Sequence, residues 1–177
     1  MRLFIAIEFD DAVLSHLENI VAALHGAKVS GRYSGRALWH LTLVFIGRTD
    51  RSGDVIQIVK QVRAAPFPLA PNGLGCFQRD GGAIVWAGVH AGPALFHMQR
   101  QLAAMLTGYG FDVDARPYRP HITLGRQMAI PASLDLSVLS AAFPPQDMTV
   151  RSISVMNSER RNGALVYTPV YKQPLSL

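Results

Sequence analysis

The sequence predicts an α+β fold: two pseudo-symmetric lobes of mostly antiparallel sheet, with helices on the outer faces and a central cleft. The tetrad His-apolar-Thr-Leu occurs at residues 40–43 and again at 121–124, a spacing of 81 residues. The same shift superposes an amphipathic helix pattern upstream of each tetrad and a β-hairpin pattern downstream of it. Since a duplicated chain tends to place its halves about a pseudo-twofold axis, we expect one tetrad on each wall of the cleft.

The whole chain, residues 1–177, is expected to form a single bilobal domain with an internal repeat of approximately 10–90 and 91–172. With 49% apolar and 16% charged residues, the composition is that of a globular protein and argues against disorder. An opening strand over residues 2–9 is extra to the repeat, and we expect it to complete one of the sheets.

The first half is predicted to contain a helix, the tetrad strand, a second helix and a β-hairpin. The first helix begins after Asp10 or Asp11, because an acidic residue is a favourable N-cap. The hairpin turn is Arg79-Asp80-Gly81-Gly82, since Asp-Gly between two apolar runs is a strong hairpin signal. The predicted elements are a helix over 11–25, a strand over 37–46, a helix over 52–64, and strands over 72–78 and 83–89.

The second half repeats this order. Its first helix begins at Gly92-Pro93, because proline is favoured at the first helical position. Its hairpin turn is Arg160-Arg161-Asn162-Gly163, which carries the Asn-Gly signal. The predicted elements are a helix over 93–108, a strand over 119–126, a helix over 133–142, and strands over 148–158 and 164–171.

Each tetrad directs an imidazole and a hydroxyl to the same side of its strand. On an extended chain residues i and i+2 share a face, so His40 lies beside Thr42 and His121 lies beside Thr123. Histidine has an ordinary pKa of about 6.5, so one ring can act as a neutral base while the other donates a proton. Threonine hydroxyls can donate hydrogen bonds to the non-bridging oxygens of a phosphate. The paired tetrads therefore predict acid–base chemistry on a phosphate.

Two further residues are candidates for substrate contact. Arg126 follows His121 by five positions, and a regular strand would turn it away from the histidine. We expect it to reach the site only if the strand ends or bulges near Gly125. Phe45 is the equivalent residue of the first half, where it could present a surface on which a nucleobase stacks. The alternative for Phe45 is a core position, because Leu-Val-Phe-Ile is also typical of a buried run.

The repeated histidines admit other interpretations. A metal site would need a third ligand, usually with carboxylates nearby, whereas each His-x-Thr offers one ligand, so no metal is predicted. Repetition alone does not establish function, because His16 and His97 also coincide under the shift and are expected to face solvent. Cys76 is the single cysteine, which agrees with a reducing compartment and a small buried residue.

The charge balance favours an anionic partner. The chain carries 17 basic and 12 acidic residues, and 14 of the basic residues are arginine, whose planar fork suits phosphate oxygens. No apolar run approaches the ~18–20 residues that span a bilayer, and the N-terminal apolar stretch is too short for a signal peptide. We therefore expect a cytoplasmic protein that does not bind a membrane. A monomer is expected because no heptad pattern or long apolar edge is evident.

The paired tetrads, within their surrounding residues, resemble the 2H phosphoesterase superfamily. The resemblance is to its branch of RNA 2′,3′-cyclic phosphodiesterases, also called 2′-5′ RNA ligases, and it covers nearly the whole chain. The residues that carry it are Arg2-Leu3-Phe4-Ile5-Ala6-Ile7, His40-Leu41-Thr42-Leu43-Val44-Phe45-Ile46-Gly47, Val85-Trp86-Ala87-Gly88-Val89, Arg119-Pro120-His121-Ile122-Thr123-Leu124-Gly125-Arg126, and the hairpin from Ser158 to Tyr167.

The resemblance implies a hydrolase without metal or cofactor that opens a ribose 2′,3′-cyclic phosphate at an RNA end, or on a nucleotide, to a 2′-phosphate. It implies that His40 protonates the leaving ribose oxygen and that His121 acts as base toward water. The pseudo-symmetry leaves these two roles exchangeable. Thr42, Thr123 and Arg126 would hold the phosphate, and Phe45 would stack on the nucleobase. The reverse joining of ends through a 2′-5′ linkage is also attributed to the family.

Two alternatives stay open at the level of sequence. The first is a hydrolase of a small nucleotide cyclic phosphate, and the second is a nucleotide- or RNA-binding module without turnover. Two small departures from the family pattern leave the substrate open: Gly125 where alanine is frequent, and Asn157 where an acid is frequent.

Overall fold

The computed structural model describes residues 1–176 and confirms the predicted α+β fold. The strands are β1 (Arg2–Ile7), β2 (Ser30–Tyr33), β3 (Leu41–Arg48), β4 (Phe67–Phe77), β5 (Ala83–Ala91), β6 (His121–Ala129), β7 (Met148–Val150), β8 (Ser152–Arg161) and β9 (Ala164–Pro174). The helices are α1 (Asp11–Gly26), α2 (Ser52–Val59), α3 (Pro93–Gly108) and α4 (Leu136–Ser140).

The strands form two sheets in which every neighbouring pair is antiparallel. The first sheet has the order β3-β1-β8-β9, and the second has the order β2-β6-β5-β4-β7. The first tetrad therefore lies at one edge of the first sheet, where β3 pairs only with β1. The second tetrad lies inside the second sheet, because β6 pairs with both β2 and β5.

Elements of the two sequence halves are exchanged between the sheets. The hairpin β4–β5 belongs to the first half but pairs with the second tetrad strand, and β8–β9 belongs to the second half but joins the first sheet. Helix α1 shares a hydrophobic core with Val85 and Ile122 of the second sheet, and α3 shares one with Ile5 and Leu41 of the first. Each sheet thus depends on both halves of the chain.

The opening strand completes the first sheet as expected, but it is not extra to the repeat. Under the 81-residue shift residues 2–7 fall on 83–88, so β1 is the counterpart of β5. Both strands lie next to a tetrad strand, since β1 pairs with β3 and β5 pairs with β6. The repeated unit therefore begins with this strand rather than with the helix that follows it.

The two long helices begin where the sequence predicts. Asp10 caps α1, because its Oδ1 accepts a hydrogen bond of 2.9 Å from the Val13 amide. Gly92 precedes α3 and Pro93 stands in its first turn. The buried residues of both helices follow helical spacing: Val13, Leu17, Ile20 and Leu24 in α1, and Leu95, Met98, Leu102 and Leu106 in α3.

Several predicted boundaries are wrong, and tertiary pairing explains them. The predicted helix over 52–64 ends at Val59, and the chain beyond it turns so that the Ala64 amide donates to the carbonyl of Ser176. The predicted strand over 148–158 is split at Arg151, because β7 pairs with β4 in the second sheet whereas β8 pairs with β1 in the first. The hairpin strand predicted from residue 72 begins at Phe67, since its first residues pair with β7.

Around the tetrads the strand prediction was also incomplete. The strand predicted over 37–46 begins at Leu41, because residues 36–38 form a turn of 3₁₀-helix. The prediction missed β2, which pairs with β6 but has a largely exposed, polar sequence without strand alternation. Helix α4 covers only residues 136–140 of the predicted 133–142.

Candidate active site

The fold brings both tetrads to one cleft. His40 lies immediately before β3 and His121 is the first residue of β6. Both histidines and both threonines, Thr42 and Thr123, line this cleft, whose volume is about 1780 Å³. The sequence-based expectation that two imidazoles and two hydroxyls meet at one hollow agrees with this placement.

Each imidazole is held by the same backbone contact. The Nδ1 atom of His40 lies 2.8 Å from the carbonyl oxygen of Leu38, and that of His121 lies 2.7 Å from the carbonyl oxygen of Arg119. A carbonyl can only accept, so Nδ1 of each ring carries the hydrogen and donates it. In the neutral form, Nε2 of each ring therefore carries the lone pair, and in the protonated form it carries the transferable proton. Residues 38 and 119 are themselves equivalent under the shift.

The two histidines differ in what Nε2 contacts. In the first tetrad His40 Nε2 lies 2.8 Å from the Thr42 hydroxyl oxygen. When His40 is neutral, that hydroxyl donates to the ring; when it is protonated, the ring donates to the hydroxyl. His121 Nε2 has no such partner within residues 1–176. The histidine and threonine side chains are therefore in contact with each other in the first tetrad and not in the second.

Both tetrad strands have a bulge at the same place, and it turns the side chain three positions after the threonine toward the cleft. In β3, Ala6 pairs with Thr42 and Ile5 with Val44, so Leu43 is the additional residue. In β6, Trp86 pairs with Thr123 and Val85 with Gly125, so Leu124 is the additional residue. One additional residue reverses the alternation of faces, and the next cleft-facing side chains become Phe45 and Arg126.

The strand bulges beside Gly125, which meets the condition under which Arg126 was expected to reach the site, and a second irregularity follows it. Ala83 pairs with Met128, which leaves Arg126 and Gln127 opposite a single residue of β5. Gln127 has a φ of 53°, in the left-handed region that non-glycine residues rarely adopt. Gly82 accommodates this bulge, because a Cβ there would lie 2.8 Å from the Gln127 carbonyl carbon.

Phe45 does not occupy the core position that was its alternative. Its side chain is 46% exposed and lines the cleft. The guanidinium carbon of Arg2 lies 5.1 Å from the centre of its ring, a cation–π arrangement. The open ring surface at this point fits a flat apolar group such as a nucleobase.

Aromatic side chains pack against both imidazoles. His40 lies between Phe4 and Tyr167, with ring centres at 4.8 and 5.1 Å. His121 lies near Phe77 and Trp86, with ring centres at 5.1 and 6.4 Å. These rings restrict the orientation of each imidazole in addition to its backbone hydrogen bond.

The surroundings of His40 favour its neutral form. Burial lowers the pKa of His40 below its ordinary value, and the positive charges of Arg126 and His121 lower it further. The hydrogen bond to the Leu38 carbonyl acts in the opposite direction and raises the pKa. A bound anion would oppose the lowering, because it favours the charged imidazole.

Two tyrosines make contacts at the site that sequence reasoning did not identify. Tyr167 lines the cleft against His40, and the equivalence of Tyr167 and Trp86 under the shift could have indicated a shared role beside the histidines. Tyr118 donates a hydrogen bond of 2.9 Å from its hydroxyl to the carbonyl of Thr42, so it links the second half directly to the first tetrad. Burial raises the pKa of Tyr118, which keeps this donor protonated.

Arg36, which lies shortly before the first tetrad, is not part of the site. It forms ion pairs with Asp11 and Glu18 and does not line the large cleft. Within residues 1–176, no group of three or more His, Cys, Asp or Glu side chains is arranged to hold a metal ion. In the same part of the chain, no helix combines the length and apolar character needed to cross a membrane.

Comparison with known proteins identifies the family. Residues 8–162, which make up most of the chain, match the 2′-5′ RNA ligase superfamily. The chain belongs to this superfamily. The membership confirms the resemblance predicted from the paired tetrads.

Curated relatives of the superfamily align with the whole chain or most of it. An RNA 2′,3′-cyclic phosphodiesterase of Thermotoga maritima is 27% identical, and the alignment covers 97% of this chain and 94% of that protein. A protein of the same name from Geobacillus stearothermophilus is 32% identical, over 76% of this chain and 43% of that protein.

Solved structures share the fold. The crystal structure of Escherichia coli LigT in apo form has a TM-score of 0.82 at 23% identity and covers 99% of this chain and 98% of that chain. Thermus thermophilus TT0787 has a TM-score of 0.76 at 23% identity, with the same coverage. With this coverage, the shared fold includes both sheets and therefore the walls of the cleft.

Proposed function

We propose that this protein is an RNA 2′,3′-cyclic phosphodiesterase that hydrolyses cyclic phosphate ends to 2′-phosphomonoesters. The observation that carries the proposal is the pair of imidazoles on opposite walls of one cleft, each with Nδ1–H donated to a backbone carbonyl. This contact leaves Nε2 of His40 and His121 as the two atoms that exchange protons. Curated relatives that align with the chain are named RNA 2′,3′-cyclic phosphodiesterase.

The proposed reaction is an in-line displacement at phosphorus. His121 Nε2 accepts a proton from water as the water oxygen forms a bond to phosphorus. The bond from phosphorus to the ribose 3′ oxygen breaks, and protonated His40 donates its Nε2 proton to that oxygen. The products are a 3′ hydroxyl and a 2′-phosphate, and the proton taken up by His121 replaces the one that His40 loses. General acid and general base catalysis typically contribute about 10²–10⁴-fold each.

The remaining residues bind the substrate in this proposal. Thr42, Thr123 and Arg126 donate hydrogen bonds to the non-bridging phosphate oxygens, where negative charge must be stabilised during displacement. Phe45 stacks on the terminal nucleobase, for which its exposed ring is suitably placed. Arg126 and Phe45 occupy equivalent places after the two bulges, so one wall binds phosphate and the other binds the base.

The direct test is incubation with an oligoribonucleotide that ends in a 2′,3′-cyclic phosphate, followed by identification of the product isomer. We expect the 2′-phosphate, a bell-shaped dependence of kcat/KM on pH, and full activity in the presence of EDTA. His97, which is exposed and lies on α3, provides the matched control: His97→Ala should retain activity, whereas His40→Ala should lose it. A 3′-phosphate product, or activity that EDTA abolishes, would contradict the proposal.

Finer features belong to the same proposal and have separate tests. 2′-5′ joining would use the same two proton transfers with a 5′-hydroxyl in place of water: His121 takes the proton of the 5′-hydroxyl as its oxygen bonds to phosphorus, and His40 protonates the departing ribose 3′ oxygen. It can be sought with a cyclic phosphate donor and an acceptor that carries a 5′-hydroxyl end. A monomeric state is testable by light scattering, and a cytoplasmic location by fractionation.

Two alternatives are a small nucleotide as the preferred substrate and a binding module without turnover. A module would bind cyclic phosphate ends without any product that depends on His40.

A further inference from the structure

The cleft is larger than one nucleotide requires. Sites for small molecules typically enclose about 300–1,000 Å³, whereas this cleft encloses about 1780 Å³. The histidines and threonines occupy only part of its lining. The remaining volume therefore extends beyond the atoms that the proposed hydrolysis requires.

One end of this extra volume is basic. Arg2, Arg48 and Arg160 all line the cleft. Arg2 and Arg48 are directly paired on neighbouring strands, β1 and β3. We call these three residues, together with Asn157, the arginine arm.

The hairpin β8–β9 brings Arg160 to the arm. Asn157 pairs with Leu3, and β1 begins at Arg2, so the residues of β8 beyond Ser158 extend past the end of β1. The hairpin tip consequently projects beyond the sheet and flanks the cleft. Arg160 donates a hydrogen bond to the Gly163 carbonyl, which fixes its guanidinium within this tip.

The arm cations are not neutralised by carboxylates. Within residues 1–176, neither Arg2 nor Arg48 nor Arg160 forms an ion pair. Their sequence neighbours do: Arg51 pairs with Asp54 and Arg161 pairs with Glu159. The latter pair also neutralises the acidic residue of the hairpin that lines the cleft.

Asn157 supplies a neutral donor among these cations. Its Oδ1 accepts a hydrogen bond of 3.1 Å from the Arg2 amide. This contact orients the side chain and leaves the two N–H groups of its amide for a ligand, since none of the described residues accepts from them. Arginine forks and amide donors around an exposed aromatic ring form a surface suited to single-stranded nucleic acid.

We propose that the arginine arm binds the phosphodiester and nucleoside that precede the cyclic phosphate end, so that the enzyme selects RNA chains over mononucleotides. This inference depends on the proposed function and deepens it by naming the substrate class. Phe45 lies between the histidines and the arm, because it shares β3 with Thr42 on one side and Arg48 on the other. A terminal base stacked on Phe45 therefore directs the preceding phosphodiester toward Arg48 and Arg160.

The experiment compares a mononucleoside 2′,3′-cyclic phosphate with a trinucleotide that ends in the same group. Two double variants are assayed: Arg48→Gln with Arg160→Gln in the arm, and Arg100→Gln with Arg151→Gln at exposed positions outside the cleft. Both remove two positive charges, so they match in net charge, and within residues 1–176 neither Arg100 nor Arg151 forms an ion pair. Arg2 is left intact because its guanidinium packs on Phe45.

The wild-type protein should show a higher kcat/KM for the trinucleotide than for the mononucleotide. The arm variant should lower the ratio of the two kcat/KM values by about tenfold or more, because it removes charge-assisted hydrogen bonds. The control variant should keep the wild-type ratio. The dependence of log kcat/KM on log salt for the trinucleotide should also weaken in the arm variant, by about 0.7 for each phosphate that is no longer neutralised.

The outcomes separate this inference from the function on which it rests. Equal wild-type kcat/KM values for both substrates overturn the inference and leave the hydrolase intact. An equal fall of the ratio in both double variants also overturns it, because charge at a distance would then account for the effect. If neither substrate is hydrolysed, the proposed function fails and the inference fails with it.

Discussion

The two tetrads share their scaffold and differ in their surroundings. Each places a histidine at the start of a strand, donates its Nδ1–H to a carbonyl two residues earlier, and has a bulge after the threonine. The surroundings diverge beyond that frame. The first tetrad lies at a sheet edge with His40 packed between Phe4 and Tyr167, and the second lies inside a sheet with His121 near Phe77 and Trp86.

This difference suits the two tetrads to the two roles that we propose for them. The repeated backbone fixes where the imidazoles, hydroxyls and following side chains lie. The surroundings of the two copies then differ: among the described residues, the His40 ring contacts its threonine hydroxyl through Nε2, whereas the His121 ring does not. The bulges at Leu43 and Leu124 turn Phe45 toward the cleft on one wall and Arg126 on the other. Equivalent positions therefore carry an aromatic ring in one strand and a positive charge in the other.

The strongest test of the comparison removes each imidazole in turn. His40→Gln and His121→Gln should each lower kcat by about 10²–10⁴-fold, because in the proposed reaction each ring supplies one of two proton transfers. The double variant should lose little more than the worse single variant, since the two rings act in one step. The assay is hydrolysis of an oligoribonucleotide cyclic phosphate. Retention of activity by either single variant would show that hydrolysis does not require both histidines.

The next test concerns the charged position after the bulge. Arg126→Gln should lower kcat by about 10²–10³-fold, the usual effect of removing a donor to the charged transition state. KM should change less than kcat if the contact strengthens during displacement. Steady-state kinetics on the same substrate provides both values. A change confined to KM would assign Arg126 to ground-state binding instead.

The aromatic position on the opposite wall should have a smaller and different effect. Phe45→Leu should weaken binding by about 1–3 kcal/mol, the contribution of one base stacked on an aromatic ring, with kcat largely retained. Titration of a 2′-phosphate-ended oligonucleotide measures the affinity directly. Equal affinity for an oligonucleotide with an abasic terminal ribose would contradict the stacking role.

The buried position of His40 predicts its titration. Its pKa is lowered by burial, so the ring should protonate below the ordinary value of about 6.5 in the free protein and at higher pH with phosphate bound. Between the lowered pKa of the folded protein and about 6.5, the unfolded state binds more protons than the folded state does. The free energy of unfolding therefore rises with pH in this window and falls on acidification. Imidazole NMR and urea unfolding across this window, in wild type and His40→Gln, test the two statements. A midpoint above the ordinary value in the free protein would refute them.

The smallest expected effect concerns the link between the two halves. Tyr118→Phe removes the hydrogen bond to the Thr42 carbonyl and should cost about 0.5–1.5 kcal/mol of unfolding free energy. Because that carbonyl belongs to the first tetrad, kcat should fall modestly as well. Urea unfolding and kinetics are the measurements. An unchanged free energy of unfolding together with an unchanged kcat would show that packing, without this hydrogen bond, holds the first tetrad in place.

Much of the candidate site could be predicted from the sequence because it depends on local periodicity. The i, i+2 spacing in a strand was enough to pair His40 with Thr42 and His121 with Thr123. The glycine after Leu124 was enough to anticipate a bulge that returns Arg126 to the cleft. The contacts of Tyr118 and Tyr167 were not identified, because they join residues far apart in the chain.

By itself, the sequence determined the tetrads, the two long helices and the turns of both hairpins, since each depends on contacts between residues close in the chain. The tertiary structure alone decided the exchange of hairpins and helices between the halves and the division of residues 148–161 between two sheets. It also decided the burial of His40. These features follow from pairing over long sequence separations, where local pattern does not select the partner.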